Sequence, residues 1–285
     1  MTHPRIDVKP IASALGAEVF GVDLAKPLED ESWSEIRRAF HEHLVLFFRQ
    51  QVLTPEQQLT FARRFGPTEP YPFINGVEGY PELVEVVKLP DEAHNWGSSW
   101  HADMTYRKNP PAGAVLYAKE VPPFGGDTLF ANMYLAYETL SPGMQRLVEQ
   151  IEAVHDSSDP TEHASLYKGI AMQGSGSGSR EVAHHPLVQT HPVTGRRSLY
   201  LCRPYSIQFV DMTVEETRPL LDALEAHATR PELTCRFRWE PNSVAVWDNR
   251  CAMHKAMDDD LQALKSGEGF RRVMHRATIA ANASS

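Results

Sequence analysis

The run Trp100-His101-Ala102-Asp103 places an imidazole and a carboxylate two positions apart, so one short segment can offer two ligands to one metal ion. In an extended strand, residues i and i+2 point to the same face. Imidazole and carboxylate together suit iron, manganese or zinc, and two histidines with one carboxylate on one face of the metal are diagnostic of non-haem Fe(II) oxygenases. A second histidine is therefore needed to complete such a site.

His254 is the best candidate for this second histidine. It follows the apolar run Val244-Ala245-Val246-Trp247, which predicts a strand, and the turn-prone Asp248-Asn249. It lies about 150 residues after Asp103, far more than the ligand spacing of a zinc finger, and this is typical of a site assembled between distant strands. A lone His-x-Asp triplet is more often a surface pair, so the prediction depends on further motifs that agree with it.

One such motif is the basic and apolar run Phe270-Arg271-Arg272-Val273-Met274-His275-Arg276-Ala277-Thr278-Ile279. As a strand it would place Arg272, Met274 and Arg276 on one face. Two arginines facing a core are costly unless anions pair with them. A guanidinium group binds a carboxylate or sulfonate through two parallel hydrogen bonds, so this face predicts an anion site. Considered alone, the segment fits a solvated basic face equally well.

A further motif, Gly125-Gly126-Asp127-Thr128, on its own predicts an ordinary loop between strands. Together with the segments above, however, it resembles the 2-oxoglutarate-dependent taurine dioxygenase and 2,4-dichlorophenoxyacetate dioxygenase family. The resemblance extends along almost the whole chain. Its other motifs are Leu15-Gly16-Ala17-Glu18, Gly21-Val22-Asp23-Leu24, Arg64-Phe65-Gly66, Pro110-Pro111-Ala112-Gly113-Ala114, His191-Pro192-Val193-Thr194-Gly195 and Val246-Trp247-Asp248-Asn249-Arg250.

This resemblance implies a mainly β fold with helical insertions, the double-stranded β-helix or jelly roll. It implies that three residues hold Fe(II): His101, Asp103 and His254. An enzyme of this family uses O2 and the co-substrate 2-oxoglutarate to hydroxylate a substrate C–H bond, and it releases succinate and CO2.

The resemblance also implies roles for three residues that bind anions. Thr128 and Arg272 would bind the distal carboxylate of 2-oxoglutarate, and Arg276 would hold the anionic group of a small substrate. That substrate would be a sulfonate, a sulfate ester, an aryloxyalkanoate or another carboxylate.

The departures from the family fall where the substrate is chosen. After Arg64-Phe65-Gly66 the chain has no histidine where the taurine enzyme has one facing the sulfonate, and after Val154-His155-Asp156 it has Ser157-Ser158 in place of an aromatic residue. These differences argue against taurine itself as the substrate.

Two other functions stay open from the sequence. The same His-Asp-His set can hold Zn with an open coordination position, as in a hydrolase. A binding or regulatory protein that has lost turnover could use the same fold. The agreement of several ordered motifs favours the oxygenase over both.

Composition limits where the protein acts and what it binds. The 285 residues carry 28 Lys and Arg against 37 Asp and Glu, a net charge of −9, which argues against non-specific binding to nucleic acid. No apolar run suits a signal peptide or a membrane span. The three cysteines are odd in number and lack paired spacing, as in a reducing compartment. We expect one cytoplasmic domain over residues 1–285 that binds neither nucleic acid nor membrane, and a homo-oligomer stays open.

Periodicity and capping residues predict five helices. The first has Asp30 or Ser32 as its cap, the second begins at Thr54-Pro55, and the third begins with Met133-Tyr134-Leu135-Ala136-Tyr137-Glu138. The fourth runs from Ser141-Pro142 to about Val154 with Leu147 on its inner face, and the fifth runs from Thr213 to about Thr229.

Composition predicts the loops. Residues 67–99, rich in Pro, Gly and Asn, are predicted to border the active site. The run Gly174-Ser175-Gly176-Ser177-Gly178-Ser179 is predicted to be a mobile loop near it. His184, His185 and His191 are assigned to turns beside prolines.

Overall fold

A computed structural model describes residues 6–72, 74–157 and 180–281. Its strands are β1 (Asp7–Pro10), β2 (Ala17–Phe20), β3 (Val45–Phe48), β4 (Thr68–Glu69), β5 (Gly76–Val77), β6 (Tyr80–Lys88), β7 (Gly113–Glu120), β8 (Thr128–Asn132), β9 (Glu152–Asp156), β10 (Val182–Pro186), β11 (Val188–Thr190), β12 (Arg197–Leu199), β13 (Ser206–Phe209), β14 (Thr234–Phe237), β15 (Val244–Asp248), β16 (Ala252–Ala256) and β17 (Arg272–Ile279). Its helices are α1 (Asp30–His43), α2 (Pro55–Arg63), α3 (Met133–Glu138), α4 (Pro142–Val148), α5 (Val214–Ala228) and α6 (Leu261–Ser266).

The largest sheet forms one wall of the core. Its strands follow the order β1-β2-β3-β15-β7-β17-β6-β5, and β4 pairs with the end of β17. The central pairings from β3 to β6 are antiparallel. Every residue of β3, β15 and β17 is buried, because these strands lie in the middle of a sheet that is covered on both faces.

A smaller antiparallel sheet, β14-β8-β16, faces the large one. Aromatic side chains fill the space between the sheets: Phe47 on β3 stacks on Phe237 on β14 with ring centroids 3.8 Å apart, and Phe130 on β8 lies 5.6 Å from Phe47. Two packed, mainly antiparallel sheets with helices added outside them are the arrangement expected for a jelly roll. Residues on β16 and β17 can therefore meet between the sheets.

Helices α1 and α2 cover the outer face of the large sheet. Helix α2 begins with the predicted capping box, in which Thr54 Oγ1 accepts from Gln57 N and Gln57 Oε1 accepts from Thr54 N. Its buried Gln58 donates from Nε2 to the carbonyl oxygen of His275 at 3.0 Å, so the helix braces β17 from behind.

The starts and ends of two helices differ from the sequence prediction. Helix α1 begins at Asp30, but Glu29 occupies the N-cap position and makes no side-chain capping hydrogen bond, so neither Asp30 nor Ser32 is the cap. The helix after Ser141 ends at Val148 instead of near Val154.

The chain beyond Val148 forms β9 because it pairs on both edges, with β10 and with β13. Ala153 and His155 are buried there, and this tertiary pairing overrides a weak helical pattern. Leu147, which lies in the preceding helix α4, is exposed, so the prediction that it lies on the inner face of that helix is wrong.

His184 and His185 lie within β10, so their assignment to turns is wrong, whereas His191 lies in a loop as predicted. The loop predicted over Gly174-Ser175-Gly176-Ser177-Gly178-Ser179 falls outside the described residues. In the described ranges, no helix combines the length and hydropathy that crossing a bilayer requires.

Candidate active site

The small sheet and a loop bring two imidazoles together. His254 lies on β16, and His101 pairs with it through two backbone hydrogen bonds, His101 N to His254 O at 3.0 Å and His254 N to His101 O at 2.8 Å. Their ring centroids are 4.2 Å apart. With Asp103 they form a group whose potential ligand atoms all lie within 4.8 Å of one another.

Asp103 reaches this group from a turn and not from the extended strand that the sequence predicts. The next residue, Met104, has a φ of +47°, so the chain reverses directly after the carboxylate. Asp103 Oδ1 lies 3.7 Å from His101 Nε2 and 3.8 Å from His254 Nε2. Two metal–ligand bonds of about 2.0–2.2 Å can span such separations, so one divalent ion fits among the three groups.

Burial and hydrogen bonding leave these groups in their metal-binding forms at neutral pH. His101 Nδ1–H donates to the carbonyl oxygen of Ser99 at 2.7 Å, which leaves the Nε2 lone pair for a metal. Burial lowers the pKa of His101, and burial together with the neighbouring His101 imidazole lowers the pKa of His254 to about 3. Burial alone would raise the pKa of Asp103, but Arg276 and the two imidazoles bring that pKa below its ordinary value. The result is two neutral imidazoles and a carboxylate.

Arg276 lies beside this group. Its Nη2 atom is 2.8 Å from Asp103 Oδ2, and its guanidinium carbon lies 4.9 Å from the ring centroid of Tyr71 and 5.7 Å from that of Trp96. Burial lowers the pKa of Arg276, but Asp103 and Tyr71 raise it above its ordinary value overall, so the side chain is charged. Its buried Nη1 has no hydrogen-bond partner in the described chain and can donate to a further anion.

Arg272 presents a second buried cation to the same space. It is 4% exposed, and its Nε atom has no hydrogen-bond partner among the residues described. Burial lowers the pKa of Arg272 to about 10, although Asp127 and Asp259 act in the opposite direction, so the group is still charged at neutral pH. A buried cation of this kind is costly unless an anion pairs with it.

Thr128 opens β8 next to this position. Its Oγ1 accepts a hydrogen bond from Trp239 Nε1 at 2.9 Å, which leaves its own proton to donate to another acceptor.

All six predicted site residues line one cavity between the two sheets. Its walls are otherwise mostly apolar and comprise Val86, Trp96, Gly97, Leu116, Phe130, Trp247, Ala256 and Met274. Val86, Trp96 and Gly97 belong to residues 67–99, so this segment lines the cavity that contains the six predicted site residues. The common face predicted for Arg272, Met274 and Arg276 is also confirmed.

A second group with potential ligand atoms, His191, Asp248 and Cys251, is already occupied by its own hydrogen bonds. His191 Nδ1 accepts from the backbone N–H groups of Val193 and Thr194, so its Nε2 carries the proton and donates to Asp248 Oδ2 at 3.0 Å. Arg250 pairs with both oxygens of Asp248. No lone pair of His191 is left for a metal, so this group is structural.

Sequence reasoning does not assign Asn249, Tyr71 or Trp96 to the site. Asn249 is marked only as turn-prone, yet its side chain contacts the backbone of Asp103. Tyr71 and Trp96 lie in a segment without periodicity, where only the aromatic residue type marks them.

A group of two histidines and one carboxylate is typical of non-haem Fe(II) oxygenases, and here it lies between two packed sheets beside two buried arginines. Over residues 7–278 the chain matches the family described as "Taurine catabolism dioxygenase TauD, TfdA family". The protein belongs to this family, and the resemblance inferred from its sequence is confirmed.

Known proteins of this kind are similar over nearly the whole chain. An (S)-phenoxypropionate/alpha-ketoglutarate-dioxygenase from Sphingobium herbicidovorans is 33% identical and covers 99% of this chain and 97% of its own. An alpha-ketoglutarate-dependent sulfate ester dioxygenase from Pseudomonas putida is 33% identical over 90% of this chain and 85% of its own. The crystal structure of a taurine dioxygenase from Burkholderia xenovorans superposes with a TM-score of 0.82 at 36% identity, over 98% of this chain and 90% of that one. The predicted jelly roll is thereby confirmed.

Proposed function

We propose that the protein is a 2-oxoglutarate-dependent Fe(II) dioxygenase in which His101, Asp103 and His254 hold the metal. The observation that carries the proposal is the convergence of two imidazoles and one carboxylate, whose potential ligand atoms lie within 4.8 Å of one another. Beside them lie two buried arginines, Arg272 and Arg276, with nitrogen atoms that have no hydrogen-bond partner among the described residues. When bound, the iron and 2-oxoglutarate supply the oxidation of a substrate C–H bond by O2. Two statements about the protein stay predictions from the sequence: that it acts in the cytoplasm, and that residues 1–285 form one domain.

The protein's own contribution is to bind and orient. Arg272 and Thr128 would hold the distal carboxylate of 2-oxoglutarate, since both line the cavity and have donors available. Arg276 would hold the anionic group of the primary substrate through its unpartnered Nη1. The buried apolar walls exclude water from the reacting groups.

The cavity also favours a particular kind of substrate. Among the described lining residues Asp103 is the sole acidic one, and it is committed to the proposed metal and Arg276, so the ammonium group of taurine would lack a counter-charge. The rings of Trp96 and Phe130 and the aliphatic Val86 and Leu116 suit an apolar or aromatic body. We therefore expect an aryloxyalkanoate or an alkyl sulfate ester to react faster than taurine.

The test is to load the metal-free protein anaerobically with Fe(II) and 2-oxoglutarate, add O2, and follow succinate together with the product of each compound. The compounds are taurine, a longer alkanesulfonate, an alkyl sulfate ester and an aryloxypropionate, and His254→Ala serves as the inactive control. Product and succinate formed in equal amounts, and lost in His254→Ala, support the proposal. Turnover with Zn(II) and without O2 indicates a hydrolase. Binding of metal and 2-oxoglutarate with no turnover of any compound indicates a binding protein.

A further inference from the structure

The side-chain amide of Asn249 binds the turn that carries Asp103. Asp103 N donates to Asn249 Oδ1 at 2.7 Å, and Asn249 Nδ2 donates to the carbonyl oxygens of Asp103 and Pro111, each at 3.0 Å. Asn249 is 2% exposed. The amide thus binds both backbone polar groups of the carboxylate residue, which has no neighbouring strand to bind them at this point.

Asn249 is itself firmly fixed. It lies in the turn between β15 and β16, where its N–H donates to Ala112 O at 3.0 Å. The preceding Asp248 donates from its N–H to Leu44 O at 2.9 Å, and its buried carboxylate is bound by Arg250 and His191. The hydrogen-bonded group around Asp248 and His191 therefore anchors Asn249, the residue that follows Asp248 in the chain.

The same turn leads directly into β16, which carries His254. Residues 101–103 are thus joined to residues 249–254 in two places, by the paired backbones of His101 and His254 and by the Asn249 amide on Asp103. These two attachments constrain both the position and the direction of the short segment between them, to which Cys202 Sγ adds a hydrogen bond to Ala102 O at 3.4 Å. The paired backbones of His101 and His254 fix the positions of the two imidazoles relative to each other. The Asn249 amide fixes the position of the Asp103 carboxylate relative to both imidazoles.

We propose that Asn249 is a positioning residue that sets the Asp103 carboxylate against the two imidazoles, so that the affinity and geometry of the metal site depend on its side-chain amide. This inference rests on the proposed function. Both ends of the amide are required: an aspartate at 249 would keep an acceptor for Asp103 N but would place a carboxylate against two carbonyl oxygens. A serine would be too short to span the three groups.

The experiment compares Asn249→Asp and Asn249→Ser with a matched control, Asn132→Ala. Asn132 is also a buried asparagine that hydrogen-bonds backbone groups, those of Leu135 and Ala14, but it does not line the cavity. Binding of Mn(II) and Co(II) to the metal-free proteins is measured by calorimetry, and the visible spectrum of the Co(II) form reports the ligand geometry. Neither readout requires turnover.

We expect both Asn249 variants to bind metal about 10–100-fold more weakly, as is typical when a residue behind a metal ligand is replaced, and to show a changed Co(II) spectrum. Asn132→Ala should keep wild-type affinity and spectrum even where its thermal stability falls. Wild-type affinity and spectrum in the Asn249 variants would overturn the inference. Metal binding that survives His254→Ala would instead contradict the proposed site itself.

If neither Asn249 variant folds, amide hydrogen exchange in the unmodified metal-free protein tests the role of Asn249 instead. The amide of Asp103 should exchange slowly, because Asn249 binds it before any metal does. Exchange at the rate of an unprotected loop would overturn the inference.

Discussion

Arg272 and Arg276 are the same residue type on one face of one strand, yet their surroundings differ. Arg276 is paired with Asp103 and lies against two aromatic rings, whereas Arg272 is buried with an unpartnered Nε and a pKa lowered to about 10. Asp103 partly neutralises Arg276 and fixes it near the proposed metal. The positive charge of Arg272 is therefore less well neutralised than that of Arg276, so a bound carboxylate would stabilise Arg272 more.

Replacing Arg272 by alanine should raise the 2-oxoglutarate concentration needed for half-maximal binding by at least about tenfold. The reason is that each lost charge-assisted hydrogen bond is worth about 1.5–3 kcal/mol. Binding is measured anaerobically with the metal in place. Arg271→Ala is the control, because Arg271 is exposed and pairs with Glu120 at the surface, where ion pairs contribute little. Equal 2-oxoglutarate affinity in the two variants would reject the assignment.

Replacing Arg276 by lysine keeps a positive charge beside Asp103 but removes the planar guanidinium group. We expect the KM for the primary substrate to rise about tenfold through loss of one charged hydrogen bond, while the KM for the co-substrate stays unchanged. Steady-state kinetics with each compound varied in turn separate the two effects. A parallel rise in both values would show that the arginines do not divide the anions between them.

At the scale of elements, the segment before His101 limits where that imidazole can lie. Gly97 has a φ of +80°, its carbonyl oxygen accepts from Ala256 N at 2.9 Å, and a Cβ atom there would lie 2.9 Å from Cε1 of His101. The loop is thus tied to β16 on one side and packed against a proposed metal ligand on the other. Glycine is required both for the backbone conformation and for the close approach.

Gly97→Ala should therefore weaken metal binding about tenfold or more, because the new methyl group displaces the His101 ring. Gly79→Ala is a matched control: Gly79 has a φ of +79°, and a Cβ there would have no heavy atom within 4 Å. Both variants should lose about 1 kcal/mol of unfolding free energy from backbone strain. Calorimetry with Mn(II) and urea denaturation measure the two quantities, and equal metal affinities would contradict the proposed contact.

The elements that sequence patterns predict well are those governed by local chemistry. The capping box at Thr54 and the buried β3 depend on a few adjacent residues, and the structure confirms both. The turn at Asp103 and the strand at Glu152 depend instead on partners far along the chain. Asn249 reaches Asp103 across 146 residues, and no spacing rule within one segment can reveal such a contact.

At the scale of the whole molecule, burial of neutral histidines makes stability depend on pH. His155 on β9 is fully buried, with Nδ1 2.8 Å from Thr105 Oγ1, and it faces His185 and Tyr200. Burial, with smaller contributions from His185 and His184, lowers its pKa to about 3. Below about pH 6.5 this histidine is protonated in the unfolded chain but stays neutral in the folded chain. Its contribution to the free energy of unfolding is therefore fully present above about pH 6.5 and is lost as the pH decreases toward 3.

His155→Asn should flatten this dependence while keeping a polar atom near Thr105. Between pH 7.5 and pH 4.5 the wild-type protein should lose on the order of 2 kcal/mol more unfolding free energy than the variant. Urea denaturation at several pH values measures the difference. Parallel curves for the two proteins would show that His155 does not contribute to the acid sensitivity.

The site as a whole can be predicted from sequence only as far as its motifs extend. The residue types and spacing at His101, Asp103, His254, Arg272 and Arg276 suggest a metal and two anions, and the family resemblance adds Thr128. The packing that forms the cavity, including Trp96 against Arg276, depends on how two sheets face each other. Such contacts between distant segments cannot be predicted from local sequence patterns, because they form only when the whole chain folds.

The proposed function depends most on whether one metal ion binds among the three predicted ligands. Crystals grown anaerobically with Fe(II) and measured at the iron absorption edge give the answer directly. We predict a single anomalous peak within bonding distance of His101 Nε2, His254 Nε2 and one Asp103 oxygen. A peak at His191, Asp248 and Cys251, or no peak at His101, Asp103 and His254 under saturating Fe(II), would contradict the proposed metal site.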